Sequence, residues 1–167
     1  SFVEYSEVHE DHCGFVGGLV GFCGYEGPCV IENAVNMANV SFTGRTNKGD
    51  IHLGGLSGVI QLTTSSIVSI KNCVNYGTIE HRGYNKGYTD ISGISAHISG
   101  ATLSKYMYNC LNYGEIIQAG EISETLHIGG ILGFNFEEPT FFENCVNIGK
   151  ITYASSSNSS SFSQRQL

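Results

Sequence analysis

The sequence predicts an all-β chain, a right-handed parallel β-helix (β-solenoid) of about four rungs with three strands per rung. Three observations carry that expectation. The stretch Asn72-Cys73-Val74-Asn75-Tyr76-Gly77-Thr78-Ile79 returns at Asn109 to Ile116 and at Asn144 to Ile151, preceded by a worn copy at Asn33 to Val40, and the starts lie 39, 37 and 35 residues apart. A glycine motif, Val16-Gly17-Gly18-Leu19-Val20-Gly21, keeps the same phase, its central glycine recurring at Gly55, Gly93 and Gly130 in steps of 37, 38 and 37. The runs between these motifs are rich in Val, Ile, Leu and aromatics, are bounded by Gly and Asn, and lack helical periodicity.

A third run completes each unit: Val40-Ser41-Phe42, Ile79-Glu80-His81, Ile116-Ile117-Gln118 and Ile151-Thr152-Tyr153. Val40 precedes Gly55 by 15 residues, and the same step back from Gly18 reaches Val3. A solenoid over residues 1–153 follows, with units near 14–50, 51–88, 89–125 and 126–153, and with residues 1–13 as the end of a preceding unit. Residues 154–167 are Ser-rich and aperiodic, the pattern of a flexible tail. Stacking equivalent strands in parallel at ~4.8 Å makes a body roughly 20 Å long. Right-handed coiling extends the rule for parallel crossovers. A four-bladed propeller shares the period but needs four antiparallel strands per blade, against three runs here.

The Gly-Gly-Leu-Val-Gly of residues 17–21, its relatives at 54–58, 92–96 and 129–133, and the Asn-Cys-x-Asn-x-Gly-x-Ile that follows them resemble the GLUG repeat family. The resemblance covers residues 14–153. It implies a β-helical stalk of a secreted or surface-attached protein, as in bacterial adhesin-like proteins and non-catalytic regions of IgA-specific proteases. The third copy departs at Ser92 and Ala96 and the first at Ala34 and Ala38, all small residues that leave stacking intact.

Stacking turns the alignment into columns. Asn33, Asn72, Asn109 and Asn144 form one, and Asn36, Asn75, Asn112 and Asn147 another. An amide both donates and accepts, so each column predicts a hydrogen-bonded ladder, and Asn suits the left-handed backbone of a corner. The glycine of the motif is expected to permit the turn. Cys73, Cys110 and Cys145, with Ala34 at the column's end, predict packing; no Cys-x-x-Cys pair suggests a metal. Cys23 and Cys29 flank a short loop that a disulfide could close in an oxidising compartment, with Cys13 able to pair with either.

Three residues before the central glycines stand Phe15, His52, Asp90 and His127. The His-Asp-His column is expected on an outer face. It predicts a pH-sensitive ladder of hydrogen bonds and not a metal centre, because His52 and His127 would be two rungs, about 9.6 Å, apart. A carbohydrate-active enzyme would need paired carboxylates on one face. Glu32 and Glu143, in the column Glu32, Lys71, Tyr108, Glu143, are three rungs or ~14 Å apart, and Glu137-Glu138 reads as a solvated loop. No catalytic residue and no cofactor is expected.

Charged residues make up only 14% of the chain, with 8 Lys plus Arg and a net charge of −7, so there is no basic stripe for nucleic acid. No apolar run nears the ~20 residues that would insert into a membrane. The chain begins without Met or a signal-peptide pattern, as a mature fragment or excised segment would. Asn39 and Asn158 head glycosylation sequons. The segments 22–29, 59–68, 98–105 and 134–140 vary between units and, as loops on one edge, would be the first choice for binding. The sequence thus predicts an extracellular or cell-surface, non-catalytic stalk or interaction module with a protein or glycan partner. Its alternative is a self-associating filament or coat protein whose copies stack end to end.

Overall fold

The computed structural model describes residues 2–5, 8–9, 13–63, 66–100, 104–137, 139–154 and 162–164. Its described residues are a parallel β-solenoid. Alternating apolar residues give short strands. Because each strand finds its partner one period away, all pairings are parallel and in register. The second unit serves as the template, with strands Ile51–Gly54, Ser57–Leu62, Ile67–Lys71, Val74–Asn75, Ile79–His81 and Tyr84–Asn85. Each belongs to its own sheet of four or five strands. The three predicted runs per unit are therefore three sides, each folded once: at Gly55-Leu56, at Asn72-Cys73 and at Arg82-Gly83.

Phe2–Tyr5 lies beneath Asn39–Phe42 with Val3 opposite Val40, so the chain enters as the end of a rung. Within the Ser-rich segment, where the sequence predicts a flexible tail, Phe162–Gln164 adds as a parallel strand beside Leu126–Gly129. The variable segments differ from the expectation too. Their first halves are strand, as in Val20–Tyr25 and Ser57–Leu62, and only the remainders connect sides.

The core is divided into two lobes. One gathers Leu56, Ile94, Ile60, Ile98, Val68, Ile70, Met107 and the cysteine column. The other gathers Leu53, Ile91, Ile128, Ile51, Val40, Phe42, Ile79 and Ile116. The division follows from the fold in the glycine-motif side. Ile51–Gly54 contributes to one lobe and Ser57–Leu62 to the other, and the bend between them points inward at the asparagine ladder, where a Cβ on Gly55 would lie 2.6 Å from Cγ of Asn75. The two arms are close. A Cβ on Gly58 would stand 2.7 Å from the Val16 backbone nitrogen, which favours glycine there; Gly21 and Gly133 hold the equivalent places, and the third unit has room for the Cβ of Ala96.

Both asparagine columns are ladders. The inner one is buried: Asn36 Nδ2 donates to Asn75 Oδ1 at 2.8 Å, Asn75 to Asn112 at 2.7 Å and Asn112 to Asn147 at 2.7 Å. The outer one runs the opposite way, Asn109 donating to Asn72 and Asn72 to Asn33, both at 3.0 Å. Its members turn the corner with φ of 51–53°. The motif glycine has a different role from the expected one. Gly77 has no left-handed backbone; a Cβ there would sit 1.9 Å from the Ala38 carbonyl oxygen of the rung beneath. Glycine is needed for the approach of rungs, and Ala38 is tolerated in the first of them.

Candidate functional site

The two arms of the glycine-motif side leave a slot between the lobes, filled by side chains that point away from both. Position −3 from the central glycine on one arm faces position +4 on the other. The slot accordingly packs Phe15 against Phe22, Asp90 against His97 and His127 against Phe134, while in the second unit, where Val59 holds the +4 position, the His52 ring lies between Phe15 and His97 of the neighbouring rungs. Phe15 and Phe22 rings are 5.6 Å apart, and His127 stacks on Phe134 at 4.4 Å. Two aromatic layers thus close the ends of a polar centre.

At that centre three imidazoles converge on one carboxylate. His52 Nδ1 and His97 Nδ1 each lie 2.8 Å from Asp90 Oδ2, and His127 Nδ1 lies 2.7 Å from Oδ1. Asp90 is 1% exposed and His52 6%, whereas His97 and His127 are half-buried and reach the slot's mouth. The column is not on an outer face as the sequence predicts. The pleat does point it away from the apolar lobes, but the opposing arm covers it.

Burial alone would push the Asp90 carboxyl up; the hydrogen bonds from His127, His52 and His97 outweigh it and hold the group well below the usual carboxylate range. An ionised carboxylate only accepts, so each of the three imidazoles donates an Nδ1–H to it and turns Nε2 away. The carboxylate orders three potential bases or ligands in one place.

The sequence brings His52, Asp90 and His127 together correctly but misses His97. Its signal is the mirror position, four residues after the central glycine, where Phe22, Val59 and Phe134 stand in the other units. That signal needs the arms to fold back on each other, which periodicity alone does not reveal.

No family model matches the chain, and neither do curated proteins or solved structures.

The other predicted residues fall elsewhere. Cys23 and Cys29 are joined by a disulfide, and Cys13, Cys73, Cys110 and Cys145 are free. Cys73 and Cys110 are buried and Cys145 packs against the same lobe. Cys145 and Cys73 on either side, with burial, push the Cys110 thiol far up. Glu32 and Glu143 stand at opposite ends of their column, and Lys71 Nζ reaches Glu32 Oε1 at 3.4 Å. Glu137 is exposed and Glu138 lies outside the described residues. Asn39 is exposed, its Oδ1 accepting from the Thr78 N–H at 3.0 Å; Asn158 lies outside the described residues.

A second surface feature runs the length of the solenoid. On the outward side of the Val74–Asn75 sheet, Val35, Val74, Leu111 and Val146 form one row and Met37, Tyr76, Tyr113 and Ile148 flank it. Met37 is 67% exposed, Ile148 59% and Tyr76 51%. Tyr76 and Tyr113 stack with centroids 5.0 Å apart and planes 8° from parallel.

Proposed function

We propose that this chain is a non-catalytic segment of an extracellular or surface β-solenoid, an adhesin-like stalk that presents a binding face to a protein or glycan. The double row of outward apolar side chains around Tyr76 and Tyr113, exposed except at the half-buried Val74 and Leu111, carries this reading. A solvated β-face normally alternates apolar-in with polar-out. Here the outward positions of four successive rungs are apolar, a pattern associated with interaction sites. The Cys23–Cys29 disulfide supports an oxidising compartment. The motif resemblance points the same way.

Self-association is the second reading, favoured by the regularity of the same rows, since identical spacings on two copies are complementary by construction. One pair of variants tests both. Tyr76→Lys with Tyr113→Lys removes the stacked pair and sets two ammonium groups one rung apart on an exposed face, so stability should fall by about 1–2 kcal/mol with the fold retained. Glycan-array or cell-surface binding should be lost. Retained binding would sink the proposed face. A parent that binds neither glycans nor cells but sediments as a concentration-dependent oligomer, and a double variant that is monomeric, would establish the self-association reading instead.

A further inference from the structure

We infer that His52, His97 and Asp90 form a binding site for a borderline first-row divalent cation of the zinc, cobalt or nickel type. One donor atom from each of the three lies within 4.8 Å of the others, and both Nδ1 atoms are already 2.8 Å from the same carboxylate oxygen. Metal–nitrogen and metal–oxygen bonds of ~2.0–2.2 Å set neighbouring donors ~3.0–3.5 Å apart, so this triangle needs shifts on the scale of side-chain adjustment. Two imidazoles and one carboxylate select a zinc-like ion over calcium or magnesium, which prefer all-oxygen shells.

The expectation that two rungs separate the histidines too widely concerned His52 and His127. His97 removes that obstacle by entering from the opposite arm, one rung from His52. His127 then has a distinct place. Its bond to Oδ1 holds the carboxylate so that Oδ2 faces the other two imidazoles, the arrangement of an outer-shell partner.

The protons balance without a co-reactant. Each neutral imidazole that ligates through Nδ1 moves its proton to Nε2, so both stay neutral, the carboxylate stays anionic, and a dication leaves the centre with one net positive charge. Three protein ligands leave at least one position for water. The ion would tie the second rung to the third and one arm to the other, a cross-link distinct from the exposed tyrosine face.

The stack itself supplies variants that preserve the fold. Phe22 and Phe134 occupy the register position of His97, and Phe15 that of His52, so His97→Phe and His52→Phe place a ring where neighbouring rungs already hold one. The intact chain is titrated with Zn²⁺ by calorimetry and with Co²⁺ by visible absorption, circular dichroism confirming the fold of each variant. The expected result is one equivalent bound, a ligand-field band without the near-ultraviolet thiolate charge-transfer of cysteine ligation, and a higher unfolding midpoint with Zn²⁺. His97→Phe and His52→Phe should each weaken binding by more than about 100-fold, and His127→Phe by about 10- to 100-fold. No uptake, unchanged affinity in folded His97→Phe, or a thiolate band would each overturn the assignment.

Discussion

His81 shows how a single residue can set a pH limit on this fold. It occupies the inward position held by Phe42 one rung below and Gln118 one rung above. It is fully buried, stacks on Phe42 at 5.2 Å, and neither ring nitrogen has a hydrogen-bond partner. Desolvation lowers its pKa from 6.5 to about 4; the nearby Gln118 amide offsets only part of this, and no hydrogen bond joins the two. The unfolded chain therefore takes up the proton first. The stability contributed by keeping this ring neutral is fully present above pH 6.5 and is lost as the pH falls towards about 4. The loss over that window is about 3 kcal/mol. His81→Phe copies the residue beneath it, and its urea midpoint should fall correspondingly less between pH 7 and pH 4 than the parent's. Asp90 confuses this comparison little, because its depressed pKa makes its contribution disappear only on acidification below the ordinary carboxylate value, and both chains share it. Parallel pH profiles for the two chains would show that His81 has a partner or water access when folded.

Among the elements, the two asparagine ladders look alike in sequence and differ in what they support. Asn75 is fully buried and closes four bonds: it accepts from Asn36 and from the Gly77 N–H, and donates to Asn112 and to the Gly77 carbonyl. Asn75→Ala leaves those partners dry and unpaired, which should cost roughly 3–5 kcal/mol. Asn72, an exposed corner residue with φ of 52°, can be replaced by Gly, which adopts that conformation freely; Asn72→Gly should cost roughly 0.5–1 kcal/mol. Equilibrium denaturation of the two variants checks the difference, and equal costs would mean that the inner ladder is no drier than the outer. Both columns were legible because recurrence at a fixed period names which side chains will stack. What recurrence omits is how one unit folds on itself. It could not separate the buried ladder from the corner, it assigned Gly77 to a turn when its constraint comes from a carbonyl in another rung, and it left His97 out of the cluster because two arms of one unit meet there. These are contacts set by the cross-section, and the period describes only the axis.

At the scale of the molecule, stability is distributed along that axis. Every described strand pairing is between rungs, so each rung depends on its immediate neighbours and the array should behave as a short chain of coupled units. Ile91 and Ile151 test this within one lobe. Ile91 is fully buried between Leu53 and Ile128, whereas Ile151 is half-buried and pairs with Ile116 on one side. Truncating Ile91 to Ala opens a cavity in the middle of the stack and should cost about 2–5 kcal/mol. Ile151→Ala should cost about half as much, because its site is incompletely packed and can relax. The spatial pattern matters more than the totals. If rungs unzip from an end, Ile151→Ala should lower hydrogen-exchange protection in Leu126–Gly129 and Ile151–Tyr153 while Ser57–Leu62 keeps its parent values, and Ile91→Ala should lower protection throughout. A uniform loss in both variants would mean that the two lobes, the ladders and the slot unfold as one unit, with coupling between rungs strong enough to hide the repeat.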